Sequence, residues 1–214
     1  MPRHAQHVPG APRVRLHGGL PPRGRPAHGG AGRVRSDRPC LRGADVAAAE
    51  DPQVLNDLAC VAPDLGRYLV EFAYGDVYAR PGMSLRRREL AAVAALGALG
   101  NATPQLRFHA QGARNAGAME PEINEARSGQ TSGALGAQDR EIVAVARLTA
   151  LGTPRRPELL VHIHDLLDAG GSPTDVVETI LLMAVFAGFP AALNGMAAAA
   201  QVFAERSGGA RPGG

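Results

Sequence analysis

The sequence predicts an all-α fold, a helical bundle that contains an internal duplication. Apolar residues recur with the period of an α-helix from Leu85 to about Leu99, after Ser84 as a suitable N-cap and before Gly100 as a stop. The segment from Asp175 to Phe189 is the most apolar of the chain, but it is too short to cross a bilayer and fits a buried helix. The third observation is a similarity of the chain to itself.

Two parts of the chain are similar at an offset of 52 residues, with one inserted residue further on. The matching pairs are Arg-Glu-Leu-Ala-Ala-Val-Ala at 88–94 with Arg-Glu-Ile-Val-Ala-Val-Ala at 140–146, His109 with His162, and Asn115 with Asp168. Such a repeat predicts a duplicated helix-turn-helix unit. The copies differ at their ends: Ser172 and Pro173 can start a long apolar helix in the second copy, whereas a turn-rich linker follows Ala126 in the first.

Composition divides the chain into a basic tail and a folded body. Residues 1–43 hold nine of the arginines and one acid, so the net charge of +3 and the pI near 9.4 describe the tail more than the body. We expect 1–43 to be a disordered Arg/Pro/Gly-rich tail, 44–207 a helical domain with repeat units of about 84–126 and 136–205, and 208–214 a flexible C-terminus.

The same features argue against several classes of function. The acidic body does not favour nucleic-acid binding, and the sequence lacks a membrane-spanning run, a secretory signal, a phosphate-binding glycine loop and a nucleophile elbow. Two cysteines, Cys40 and Cys60, are too few for a disulfide framework. We therefore expect a cytoplasmic protein that contacts neither nucleic acid nor a membrane.

Three stretches of the chain resemble the carboxymuconolactone decarboxylase family, which shares its helical fold with the alkylhydroperoxidase-D-like proteins. They lie at 86–90, 105–117 and 183–194, and the resemblance spans about residues 64 to 204. It implies an all-α bundle that forms homo-oligomers of the trimer or hexamer type and acts on a small-molecule substrate. Members of the family work in aromatic catabolism, peroxide detoxification and secondary metabolism, so the resemblance implies a class and not a substrate.

Peroxidases with this fold carry a Cys-x-x-Cys pair, with a histidine four residues after the second cysteine. The corresponding positions before His109 hold Ala102 and Gln105, and those before His162 hold Arg155 and Glu158. Neither copy can form the redox pair, so thiol peroxidase chemistry is not expected.

Decarboxylation instead needs a proton donor and a sink for the electrons that carbon dioxide leaves behind. The lactone carbonyl of a carboxylated lactone is such a sink, so we expect neither a cofactor nor a metal. His109 is the first candidate for the proton donor, and His162 is the second by its alignment with His109. Glu89, whose counterpart is Glu141, could orient His109 or act as a base, with an ion pair between helices as an equal alternative.

Candidate substrate-binding residues are Arg88, Arg107 and Asn115, although Arg107 and His109 are two apart on a helix and cannot both face one pocket. His164 and Asp168 are four apart, and we expect them to form an intrahelical pair in preference to a metal site.

The sequence thus predicts a cofactor-free lyase similar to carboxymuconolactone decarboxylase, acting on a small carboxylated lactone or related acid by general acid–base chemistry. Two alternatives remain. One is an enzyme of the same fold in secondary metabolism that catalyses cyclisation, isomerisation or another proton transfer. The other is a non-catalytic oligomeric scaffold.

Overall fold

The computed structural model describes Leu55, Leu58, Ala59 and residues 61–208, all within one compact unit. The predicted disordered tail, Cys40, Cys60 and the end of the chain after Gly208 lie outside the described residues. The described part is all helical, as predicted, and contains no strand. No helix in this part of the chain combines the length and the apolar character that crossing a membrane would require.

Eight α-helices follow one another along the described chain. They are α1 (Pro63–Tyr68), α2 (Leu85–Leu99), α3 (Thr103–Asn115), α4 (Glu120–Ser128), α5 (Ala137–Leu151), α6 (Arg156–Asp168), α7 (Pro173–Phe186) and α8 (Gly188–Gly208). A π-helical segment, Leu69–Tyr78, continues α1, and a short 3₁₀ turn, Thr153–Arg155, precedes α6.

The helix boundaries confirm the predicted duplication. Helices α2 and α5 are each 15 residues long, and α3 and α6 are each 13 residues long. The third helices of the two copies differ, because α4 has 9 residues and α7 has 14. The predicted linker replaces the missing end of α4.

Local sequence signals explain where the helices of each copy begin and end. The Ser84 hydroxyl accepts a hydrogen bond from the backbone N–H of Arg87, and the Ser172 hydroxyl accepts one from that of Asp175, so both predicted N-caps are confirmed. Gly100 closes α2 with a φ of 67°, a left-handed conformation that glycine adopts without strain.

The core lies between the first helices of the two copies. Helices α2 and α5 pack on each other, and α3 and α4 cover α2 as α6 and α7 cover α5. The central faces are rich in small residues, such as Ala91 and Ala95 on α2 and Ala146 on α5, all of which are fully buried. Small side chains allow the two helix axes to approach closely.

The apolar side chains of α1 are largely exposed in the single chain. Leu65 and Tyr68 retain 56% and 53% of their accessible surface, whereas Phe72 packs against the core and its ring lies tilted against that of Phe189, with centroids 5.7 Å apart.

One buried and one half-buried ion pair join the two copies in a reciprocal way. Arg88 on α2 of the first copy lies 2.9 Å from Glu178 on α7 of the second, and Arg140 on α5 of the second copy lies 3.3 Å from Glu125 on α4 of the first. Glu125 and Glu178 occupy equivalent positions of the repeat, as do Arg88 and Arg140. Each copy thus supplies the carboxylate that neutralises the arginine of the other.

We predict that Glu178→Gln lowers the free energy of unfolding by about 3–5 kcal/mol, because it leaves Arg88 buried without its counter-charge. Arg88 is fully buried, and its Nε and Nη1 atoms already lack partners among the described residues. Urea unfolding followed by circular dichroism measures the change. The control is Glu71→Gln, which breaks an exposed pair with Arg67 and should leave the midpoint nearly unchanged. Equal midpoints for the two variants would contradict the structural role of Glu178.

Candidate active site

Each copy of the repeat contains a glutamate and a histidine in direct contact. In the first copy, Nδ1 of His109 on α3 lies 2.8 Å from Oε2 of Glu89 on α2. In the second copy, Nδ1 of His162 on α6 lies 2.7 Å from Oε2 of Glu141 on α5. The sequence prediction that Glu89 could orient His109 has a geometric counterpart in both halves.

The first pair is enclosed by aromatic rings. The side chains of Glu89 and His109 are 3% and 5% exposed, respectively. The ring of Phe186 meets the His109 ring edge-on at 5.0 Å, and the Tyr78 hydroxyl lies 3.4 Å from Nδ1 of His109. Burial, followed by the charge of Glu89, raises the pKa of Tyr78 well above its ordinary value, so the phenol stays neutral.

Gly112 makes room for the enclosed carboxylate. A Cβ atom at this position of α3 would lie 2.9 Å from the carboxyl carbon of Glu89, which is closer than real Cβ contacts allow. The equivalent residue of the second copy is Asp165, whose side chain is exposed. The two copies therefore differ directly beside their glutamates.

The second pair is open to a cavity of ≈ 310 Å³. The side chains of His162 and Glu141 are 37% and 16% exposed. The polar part of the cavity wall comprises Glu125, Thr131, Arg140, Glu141, Arg147 and His162, and the apolar part includes Leu135, Val143, Ala144 and Leu148. A volume of this size suits a small ligand.

The shortened α4 explains why one pair is enclosed and the other is open. Phe186, which covers His109, belongs to the end of α7, and its equivalent in the first copy is Gly133 in the linker. Because α4 ends at Ser128, no helix of that copy reaches over His162, and the linker forms the wall of the cavity instead.

Glu125 fixes this linker to the bundle. Burial alone would raise its pKa, but hydrogen bonds from the Ser132 hydroxyl and from the backbone N–H groups of Ala134, Leu135 and Ser132 outweigh burial. Together they lower the pKa of Glu125 from 4.5 to about 2. The linker therefore has a defined conformation at the cavity wall.

The remaining sequence candidates lie away from this cavity. Arg88 is in the buried pair with Glu178, and Arg107 is exposed on α3. Asn115 is also exposed, and its Oδ1 accepts a hydrogen bond from Gln111. None of the three lines the cavity beside His162.

The expected intrahelical pair of His164 and Asp168 does not form. Nε2 of His164 lies 3.2 Å from Glu205 and Asp168 accepts a hydrogen bond from Arg206, so both residues connect α6 to α8. Sequence spacing showed that the two residues share a helix face, but not that α8 supplies partners for each.

Three side chains at the second pair have the spacing of metal ligands. Glu141, His162 and Asp165 each offer one atom within 4.8 Å of the others. The arginines Arg140 and Arg147 line the adjoining cavity, and their positive charges disfavour a cation there.

The fold and the site together define a duplicated all-α bundle with a Glu–His pair in each half. The family model of the carboxymuconolactone decarboxylase family matches this chain twice, at residues 63–132 and 127–201. The chain belongs to that family. Each match covers most of one copy of the repeat.

A curated protein of Paracoccus denitrificans is also similar to the chain. It is described as an uncharacterized 15.0 kDa protein in the nqo9-nqo10 intergenic region, and it is 31% identical over 71 residues, which cover 33% of this chain. The chain spans 53% of the length of that relative.

We predict that Glu125→Gln removes a pH-dependent part of the stability. The folded-state pKa of Glu125 lies below its ordinary value, so its contribution is present above about pH 4.5 and is lost as the pH falls towards 2. The difference in free energy of unfolding between wild type and Glu125→Gln should be largest near neutral pH and shrink on acidification, as measured by urea unfolding at several pH values.

Ser132→Ala serves as the graded control for this prediction, because it removes one of the donors to Glu125 and keeps the carboxylate. Its stability should lie between those of wild type and Glu125→Gln. A wild-type minus Glu125→Gln difference that does not change with pH would contradict the assignment.

Proposed function

We propose that the protein is an acid–base enzyme similar to carboxymuconolactone decarboxylase, acting on a small carboxylated lactone or related acid at the second Glu–His pair. The observation that carries this proposal is that Glu141 and His162 line a cavity of ligand size, whereas Glu89 and His109 are enclosed. A proton donor has to reach its substrate, so the open pair is the better site.

In the proposed reaction His162 is the general acid. The bond between the substrate carbon and its carboxylate breaks, carbon dioxide leaves, and the electron pair moves into the lactone carbonyl to give an enolate. His162 then gives a proton to carbon and regains one from solvent. The apolar wall formed by Val143, Ala144 and Leu148 favours this loss of charge, because a carboxylate is less well solvated there than in water.

Glu141 has the role of a positioning residue. An ionised carboxylate only accepts hydrogen bonds, so it selects the form of His162 that carries a proton on Nδ1. Nε2 is then the atom that exchanges protons with substrate, as in other enzymes where a carboxylate orients a histidine.

The linker supports one alternative, which is another proton transfer such as isomerisation or cyclisation on a different small acid. It replaces a helix end of the repeat and forms part of the cavity wall, so the shape of this site departs from the shape of its counterpart in the first copy. The open cavity argues against a purely structural scaffold.

We also propose that the chain self-associates, as the family resemblance implies. Exposed apolar side chains on α1 and α8 support this, since Leu65, Tyr68, Phe189 and Leu193 each retain more than half of their accessible surface. The cytoplasmic location and the limits of the tail and domain stay predictions.

The decisive test is carbon dioxide release from carboxymuconolactone by purified wild-type protein and by His162→Gln. Loss of the general acid should lower kcat by about 10²- to 10⁴-fold. His164→Gln is the matched control, because His164 lies on the same helix and pairs with Glu205 outside the cavity. It should retain full activity.

His109→Gln distinguishes the two halves of the chain. An enzyme that depends on His109 and tolerates His162→Gln would place the chemistry at the first pair and overturn our assignment. If wild type releases no carbon dioxide, the lactone decarboxylase assignment is removed and the alternative proton transfers take its place. Thermal unfolding of each variant ensures that only folded proteins are compared.

A further inference from the structure

Arg147 lines the open cavity without an ion-pair partner among the described residues. Glu125 lies 3.3 Å from Arg140, and Glu141 lies 2.7 Å from His162, so these four lining residues form two pairs. Arg147 has no ion pair or hydrogen bond with any described residue, and its Nη1 atom is buried without a partner. Among the described residues that line the cavity, Arg147 is therefore the arginine without a carboxylate partner.

An arginine whose buried N–H group lacks an acceptor is suited to bind an anionic ligand. The guanidinium group stays charged at all physiological pH values, and a buried N–H group without an acceptor is costly. Its planar arrangement of donors fits a carboxylate, which can accept two parallel hydrogen bonds.

The position of Arg147 is specific to the second copy. Its counterpart on α2 is Ala95, which is fully buried between the helices of the core. The charge therefore occurs only in the half of the chain where the Glu–His pair is open. The repeat does not require a cation at this position for packing.

Gly129 leaves space for the guanidinium of Arg147 at the cavity wall. This residue ends α4 with a φ of 69°, and a Cβ atom there would lie within 3 Å of Nη1, Cζ and Nε of Arg147. A side chain at this position would displace the guanidinium of Arg147 from its present place beside the start of the linker.

We propose that Arg147 binds a carboxylate of the substrate that is not the one lost in the reaction, and so orients the substrate towards His162. This inference rests on the proposed function, since it names the recognition element of the same cavity. It implies that the substrate is an acid that keeps one carboxylate in the product. The leaving carboxylate then lies away from Arg147, because a tight ion pair would stabilise the ground state and oppose its loss.

The test is binding of muconolactone, which is a lactone with a single carboxylate, and of its methyl ester, measured by titration calorimetry. For Arg147→Gln we expect the Kd of the acid to rise by about 10- to 100-fold, with little change for the ester. Arg147→Lys keeps the charge without the planar donors and should give an intermediate Kd for the acid. The control is Arg155→Gln, which removes an equal charge from an exposed pair with Glu158 and should bind both as wild type does.

Two outcomes overturn the proposal: an unchanged Kd of the acid in Arg147→Gln, or equal losses for acid and ester. Failure of the proposed function is recognised separately. Binding that depends on Arg147 without carbon dioxide release from carboxymuconolactone leaves the carboxylate site standing and removes the decarboxylase. Carbon dioxide release with the same KM in wild type and Arg147→Gln would keep the decarboxylase and remove the carboxylate site.

Discussion

The exchange of carboxylates between the two copies is the constraint on which the rest of the structure depends. Arg88 and Arg140 start the two central helices, and both are neutralised from the other half of the chain. Each arginine also donates a hydrogen bond to a backbone carbonyl of the segment that precedes its own helix, Arg80 and Leu135 respectively. Each arginine therefore depends on the other half for its counter-charge, and this couples the two copies of the repeat.

The two Glu–His pairs differ in how far the neighbouring copy covers the histidine. At one end a full-length α7 carries Glu178 and, further along, Phe186, which covers His109. At the other end α4 keeps Glu125 but stops at Ser128, so the ion pair is retained and the cover over His162 is absent. Both ends thus keep the ion pair, and the described residues place a covering ring over His109 but not over His162.

Features that depend on residues close together in the sequence were predicted, and features that depend on residues far apart were not. Local signals sufficed for the helices: the N-caps Ser84 and Ser172, the stop at Gly100 and the repeat offset all match the structure. The pairing of glutamate with histidine was also suggested, because both residues recur in both copies.

Which histidine is accessible could not be read from the sequence, because it depends on Phe186, a residue 77 positions from His109, and on the missing equivalent of Phe186 in the linker. Arg147 was missed for a related reason. In a chain whose basic residues are all arginine, one more arginine on an apolar helix gives no signal until the absence of its partner is seen in three dimensions.

The attachment of the linker has a consequence for how the family can diversify. The linker is held by one side chain, Glu125, which accepts hydrogen bonds from the Ser132 hydroxyl and from backbone N–H groups that any amino acid except proline supplies. Residues at the tip, such as Thr131, are thus free to vary in identity while the helices beneath stay the same. Substitutions at this edge can therefore change the shape of the cavity while the packing of the helices stays the same.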